Sequence, residues 1–190
     1  MAPSLRPAVF LDRDGTLLDE LGYLADPESV RYLEGAIDAV RTLNEAGLAV
    51  VVVTNQSGIA RGLLDEDLLA RIHARVDADL AANGARVDAW FHCPHHPEHG
   101  ASPWRRACSC RKPLPGMILE ACRRLGLDAG RSFAVGDAPR DLESARRAGV
   151  PRRLLVLTGK GAATRAELED GEVVVVPDLA AAARWIAERA

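Results

Sequence analysis

Short apolar runs recur along the chain, separated by segments of helical period. The strand candidates are Ala8–Leu11, Ala49–Val53, Trp90–Phe91, Phe133–Val135, Leu154–Leu157 and Val173–Val176. They are rich in valine and leucine and show little in/out alternation. That pattern predicts strands buried on both faces of a parallel sheet. Between them a helix is predicted over Gly35–Ala46, with Gly47 as its C-cap. The next opens at Asp65-Glu66-Asp67, whose charge complements the helix dipole, and stops near Asn83-Gly84. It places Leu68, Ile72, Val76 and Leu80 on one face. Pro115–Leu125 ends at Gly126, Asp141–Ala148 ends at Gly149, and Asp178–Glu188 closes the chain. Strand alternating with helix predicts an α/β fold, a doubly wound, mostly parallel sheet in one domain over residues 1–190.

Such sheets bind ligands beyond the carboxyl ends of their strands. Asp12 follows the first strand, Thr54-Asn55 the second and Gly136-Asp137 the fourth, so three polar clusters are expected to meet at one edge. The stretch from Cys93 to Pro115 does not fit the alternation. It has prolines, histidines and arginines but no period, and a structureless loop of about 20 residues in a compact domain needs something to order it.

Composition narrows the field. The chain has 190 residues, 48% of them hydrophobic and 27% charged, with a net charge of -3. No basic excess points to a nucleic-acid or membrane-surface partner. No apolar run approaches the roughly 20 residues of a membrane helix. Met1–Pro7 carries no apolar segment of secretory length, so a cytoplasmic location is expected. Three of the four cysteines, Cys93, Cys108 and Cys110, cluster with histidines. That favours metal over disulfides, while Cys122 sits in a helical pattern as a small apolar residue.

The strongest local signal is Asp12-Arg13-Asp14-Gly15-Thr16-Leu17. One carboxylate can attack, the other can handle a proton, and a divalent cation can hold both near an anion. Val53-Thr54-Asn55-Gln56-Ser57-Gly58 offers a hydroxyl, an amide and turn N–H groups for phosphate oxygens. Arg111-Lys112-Pro113 adds a forked donor and a compact charge. Asp137 suits a hard cation such as Mg²⁺. Asp141 either orients a metal water or Lys112, or caps a helix. The Cys-x-His and Cys-x-Cys pairs, Cys93/His95 and Cys108/Cys110, supply a soft donor set for structural Zn²⁺. Their one-residue spacing favours His95, with His92, His96 and His99 close enough to compete.

Taken in order, Asp12–Thr16, Thr54-Asn55, Lys112 and Gly136-Asp137 with Asp141 resemble the four motifs of the haloacid dehalogenase superfamily. Two segments, Thr54–Gly62 and Cys93–Pro97 with Cys108–Pro113, look like its heptose bisphosphate phosphatase branch and the related histidinol phosphatases. The resemblance runs from Val9 to about Gly159. It implies a cap-less phosphatase in which a zinc loop at about 92–113 stands in for a cap domain. It implies Asp12 as nucleophile and Asp14 as general acid/base, with Thr54 and Lys112 stabilising the phosphoryl group. Glu20, Leu21, Gly22, Tyr23, Asn55, Gln56, Ser57 and Arg111 would contact substrate. Mg²⁺ would be held by Asp12, the Asp14 main-chain carbonyl and Asp137. Zn²⁺ would be held by Cys93, His95, Cys108 and Cys110. The implied reaction removes the C7 phosphate of D-glycero-D-manno-heptose 1,7-bisphosphate through an aspartyl-phosphate, in heptose precursor biosynthesis. Histidinol phosphate is the alternative substrate. A zinc-stabilised nucleic-acid module is the reading from another class, opposed by the acidic balance. A phosphorylated sugar is the expected partner, and a cap-less site suits a monomer.

Overall fold

A computed structural model describes residues 5–20, 22–168 and 173–190. Met1–Ser4 and Leu21 lie outside the described residues. The strands are β1 (Ala8–Leu11), β2 (Ala49–Asn55), β3 (Ala89–Cys93), β4 (Phe133–Gly136), β5 (Arg152–Val156) and β6 (Val173–Val176). The helices are α1 (Ala36–Glu45), α2 (Glu66–Ala82), α3 (Gly116–Leu125), α4 (Pro139–Arg147), α5 (Gly161–Glu167) and α6 (Leu179–Ala187). The sheet order is β3-β2-β1-β4-β5-β6. Every pairing is parallel, so the expected mostly parallel sheet is parallel throughout the described strands.

Alternate residues of β1 serve opposite faces. Val9 and Leu11 join one core with residues of α1, α2 and α6, including Leu43, Ile72 and Ile186. Ala8 and Phe10 join the other core with Met117 and Ile118 of α3 and Ala145 of α4. Burial on both faces is why the strands read as continuous apolar runs. β1 lies between β2 and β4, so the chain winds away from it in both directions. The carboxyl end of β1 beside β4 is therefore the topological switch point, where such sheets open a crevice.

Several boundaries shift. α4 starts at Pro139, two residues before the expected start, because proline suits the first helical turn. β5 begins at Arg152 and ends at Val156, earlier at both ends than expected. In α2 it is Leu69 that is fully buried, with Leu68 partly so, and Asp65 caps the helix through Leu68 N at 2.7 Å. α5 was not expected. It is seven residues long, and its buried positions are Gly161 and Thr164, so it has no apolar period to read.

Candidate active site

β1 ends by handing Asp12 to the switch point, where the Asp12 N–H donates to the Val135 carbonyl of β4 at 3.0 Å. β4 delivers Asp137 on the other side of the crevice, and the first turn of α4 delivers Asp141. All three carboxylates are buried, and one oxygen of each lies within 4.8 Å of the others. Lys112 Nζ sits among them, 2.7 Å from Asp12 Oδ1, 2.7 Å from Asp141 Oδ1 and 2.8 Å from the Val53 carbonyl. Burial and then Asp141 raise the Asp12 carboxyl above its usual range, and Lys112 opposes them. Asp141 does both jobs considered for it: Oδ1 faces Lys112, and Oδ2 accepts from the Ala138 N–H at 3.0 Å, closing the start of α4.

Asp137 is the most informative of the three. Its Oδ2 accepts from Lys160 N at 2.7 Å, but Oδ1 is buried with no hydrogen-bond partner. Burial raises its carboxyl to about 6, against the opposing Lys160 N–H bond. Buried acceptors are almost always satisfied, so an orphaned oxygen in a nest of carboxylates fits a hard divalent cation. The backbone closes around it. A Cβ on Gly15 (φ +82°) or on Gly159 (φ +55°) would overlap Asp137 Oδ2. Only glycine permits that approach and those dihedrals together. Thr158 Oγ1 donates to the Gly15 carbonyl at 2.7 Å and locks the two loops together.

The Asp14 carboxylate is not in this group. Arg13 Nε and Nη2 donate to its Oδ1 at 3.1 and 3.0 Å, and Gln56 Nε2 donates to its Oδ2 at 2.9 Å. Both of its carboxylate oxygens therefore accept hydrogen bonds from neighbouring side chains. Arg13 is fully buried, with Nη1 at 3.5 Å from His73 Nε2. His73 stacks on Trp90 at 4.1 Å. Burial, then Arg13 and His92, push His73 down to about 3, so it is neutral and can accept from Arg13.

At the end of β3 and in the loop between β3 and α3, Cys93, His95, Cys108 and Cys110 gather with all potential ligand atoms within 4.8 Å. The Sγ–Sγ distances are 3.6 Å for Cys93–Cys108 and 3.4 Å for Cys108–Cys110, and His95 Nδ1 is 3.7 Å from Cys93 and 3.4 Å from Cys110. A tetrahedron with Zn–S of about 2.3 Å has edges of about 3.8 Å, close to this arrangement. His95, and not His92, His96 or His99, is the histidine in the cluster. The loop places its neighbours. Arg111 Nη1 donates to the His95 carbonyl at 3.1 Å. Asn55 grips the Lys112 backbone from both sides, Nδ2 to O at 3.1 Å and Oδ1 from N at 3.0 Å.

A cleft of about 370 Å³ lies beside this group, bordered by the chain neighbours Asp14 and Arg140. It is lined by Asp14 and by every described residue expected to contact substrate: Glu20, Gly22, Tyr23, Asn55, Gln56, Ser57 and Arg111. Asn55 and Gln56 are already engaged, Asn55 with Lys112 and Gln56 with Asp14 and with Thr54 Oγ1 at 2.8 Å. Their side chains therefore position the reacting groups more than they read substrate. Sequence reasoning missed Arg61, His96, Arg140 and Lys160, which also line the cleft. Lys160 forms an ion pair with Glu20 across its mouth. Two of these had a signal. Arg61 lies in the Thr54–Gly62 segment, and Thr158-Gly159-Lys160-Gly161 is a glycine-flanked cation just after β5.

A buried carboxylate at a strand end, a lysine among buried acids and a parallel sheet switching at that point define a haloacid-dehalogenase-like hydrolase, and the HAD-hydrolase-like family model matches residues 109–182. More narrowly, the chain belongs to the family of the D-glycero-beta-D-manno-heptose-1,7-bisphosphate 7-phosphatases. It is 43% identical over 161 residues to the protein of that name from Photorhabdus laumondii, covering 85% of this chain and 86% of that one. It is 43% identical over 167 residues to the one from Escherichia coli K12, covering 88% and 87%. The D,D-heptose 1,7-bisphosphate phosphatase of B. bronchiseptica, solved with magnesium and phosphate, superimposes with a TM-score of 0.87 at 39% identity, over 97% of this chain and 99% of that one. The Burkholderia thailandensis D,D-heptose 1,7-bisphosphate phosphatase gives 0.70 at 33% identity, over 95% and 98%.

Proposed function

We propose that this protein hydrolyses the C7 phosphate of D-glycero-D-manno-heptose 1,7-bisphosphate through an aspartyl-phosphate, the beta anomer of its relatives' name being the first to test. The observation that carries the chemistry is Asp12, buried at the switch point and paired with Lys112 beside the orphaned Asp137 oxygen. Lys112 opposes the rise that burial imposes on the Asp12 carboxyl and aims the carboxylate. Asp12 attacks phosphorus, an O–P bond forms, and the bond to the sugar oxygen breaks. Asp14, held by Arg13 and Gln56 at the cleft floor, gives its proton to that oxygen. It then takes a proton from the water that cleaves the acyl phosphate, releasing phosphate and restoring Asp12. Thr54 and Lys112 offset charge developing on the phosphoryl oxygens. Asp12, Asp137 and the Asp14 carbonyl are the proposed Mg²⁺ ligands. When bound, the ion supplies charge neutralisation for an anion attacking an anion.

The Cys93, His95, Cys108, Cys110 set is proposed to hold structural Zn²⁺, since four protein ligands leave no position for water. Arg111, Ser57, Glu20, Gly22 and Tyr23 are assigned to the sugar and its second phosphate. The same reading makes the protein a cytoplasmic monomer acting on a small molecule, with no nucleic-acid or membrane partner. No helix among the described residues is long and apolar enough to cross a membrane. The test is kcat/KM on both heptose bisphosphate anomers and on histidinol phosphate, for wild type and Asp12→Asn. The heptose bisphosphate should be preferred, and the variant should be inactive with its zinc retained. Preference for histidinol phosphate would overturn the substrate, and wild-type turnover by the variant would overturn the nucleophile.

A further inference from the structure

We infer that Arg140 is a catalytic residue whose guanidinium binds the phosphoryl group that Asp12 attacks. This deepens the phosphatase reading above and rests on it. The argument begins with donors. Lys112 has three N–H protons; it donates to Asp12 and the Val53 carbonyl and is ion-paired with Asp141 at 2.7 Å. An incoming phosphate therefore competes with Asp12, Asp141 and the Val53 carbonyl for its charge. Gln56 spends both amide protons on Asp14 and Thr54, and Asn55 spends its amide on the Lys112 backbone. The groups nearest the nucleophile are thus largely committed before substrate arrives.

Arg140 is not committed. It sits in the first turn of α4, between Asp137 and Asp141, and lines the cleft. Its Nε is buried and has no hydrogen-bond partner, the nearest carboxylate being Asp141 Oδ1 at 3.9 Å. Its side chain is 39% exposed, so the fork reaches the cleft from a buried stem. Charge points the same way. Asp12, Asp137 and Asp141 are balanced by Lys112 and a divalent cation. A phosphate dianion entering that site needs further counter-charge, and Arg140 is the cleft cation whose charge is felt by all three of those acids. The cations Arg61, Arg111 and Lys160 line the same cleft, but Arg111 is tied to the His95 carbonyl and Lys160 to Glu20. Of the two residues between Asp137 and Arg140, alanine and proline, neither can supply a donor from its side chain.

The experiment compares Arg140→Gln and Arg140→Lys with wild type on two substrates: heptose 1,7-bisphosphate, and p-nitrophenyl phosphate, which has a single phosphate. Inorganic phosphate inhibition is measured alongside. Losing a charge-assisted donor should lower kcat/KM for Arg140→Gln by about 30-fold on both substrates and weaken phosphate inhibition similarly. The lysine variant should fall between, because it keeps charge but loses the fork. Zinc content and Tm check folding, and the lysine variant carries the test if the glutamine variant does not fold. A loss confined to the bisphosphate would overturn the inference and assign Arg140 to the second phosphate. Unchanged kinetics on both would overturn it outright. If wild type spares the bisphosphate but the p-nitrophenyl phosphate loss persists, the inference stands and the substrate assignment falls.

Discussion

Asp137 should cost the metal-free protein stability, and removing its charge should return it. The carboxyl is raised from its ordinary 3.8 to about 6, chiefly by burial. At 1.36 kcal/mol per pH unit, that difference is about 3 kcal/mol. The sign follows from proton uptake. Between about pH 4 and about pH 6 the folded state holds the proton more tightly than the unfolded chain. Stability from this group is therefore present at low pH, falls as pH rises through that window, and stays lost above it. Asp137→Asn removes the charge but leaves an amide N–H without a partner where Oδ1 was, which returns about 1 kcal/mol of penalty. The net expectation is a magnesium-free variant about 2 kcal/mol more stable than wild type at pH 7.5, with no gain at pH 4. Urea denaturation in magnesium-free buffer, without chelator so that zinc is retained, measures it. Added Mg²⁺ should stabilise wild type and leave the variant where it was, and turnover should be lost. A variant less stable than wild type at pH 7.5, or one still stabilised by Mg²⁺, would refute the reasoning.

Three further outcomes follow from the same geometry. Gly159→Ala puts a methyl group into Asp137 Oδ2 at a positive φ, so the Mg²⁺ concentration for half-maximal activity should rise at least tenfold while zinc content is unchanged, both read by titration and metal analysis. Lys112→Met leaves Asp12 and Asp141 buried without their cation. Breaking such a pair costs about 3–5 kcal/mol, visible in the urea midpoint, and kcat should drop on the order of 10³-fold. Cys110→Ser removes one sulfur from the four-ligand set. Purified variant should lose stoichiometric zinc, and kcat should fall more than KM rises, because Lys112 is two residues away.

The fold was legible where burial is continuous. β1, buried along its whole length, appears with its expected bounds, and so does the edge strand β6, where Val175 is exposed but the run of four valines still marks the strand. α5 was invisible because its packing uses Gly161, where a Cβ would strike the Val156 carbonyl, and Thr164, whose hydroxyl donates to the Asp137 carbonyl at 2.8 Å. Neither is an apolar signal. The start of α4 was missed for a related reason. Asp141 looks like an opening residue, but it acts from inside the first turn by reaching back to Ala138 N. Asp12, Asn55 and Asp137 were legible as candidates because they sit at the ends of β1, β2 and β4, whose positions the alternation of elements supplies. Arg140 and Lys160 were not. Their places depend on how the first turns of helices fold back over the sheet edge, and on which donors their neighbours have already used.

The loop that carries the Cys/His cluster explains why so much of the site hangs on residues far from β1. In the parallel pairing of β2 with β3, Asn55 lies opposite Cys93. One strand end thus carries the amide that grips Lys112, and its neighbour carries the first sulfur of the cluster. Cys110, two residues before Lys112, closes that cluster from the other end of the loop. The Lys112 backbone is then held by two tethers of different chemistry, an amide clamp and a metal-ligand cluster. Long flexible side chains lose much rotamer entropy when fixed, and Nζ here meets three acceptors at 2.7 to 2.8 Å. A backbone fixed twice makes that geometry attainable without burying the loop in a core it cannot form. A loop of this length would otherwise leave the lysine to search for the nucleophile. With the proposed Zn²⁺ bound, ordering by four soft ligands would hold Lys112 against the buried Asp12 before any substrate binds.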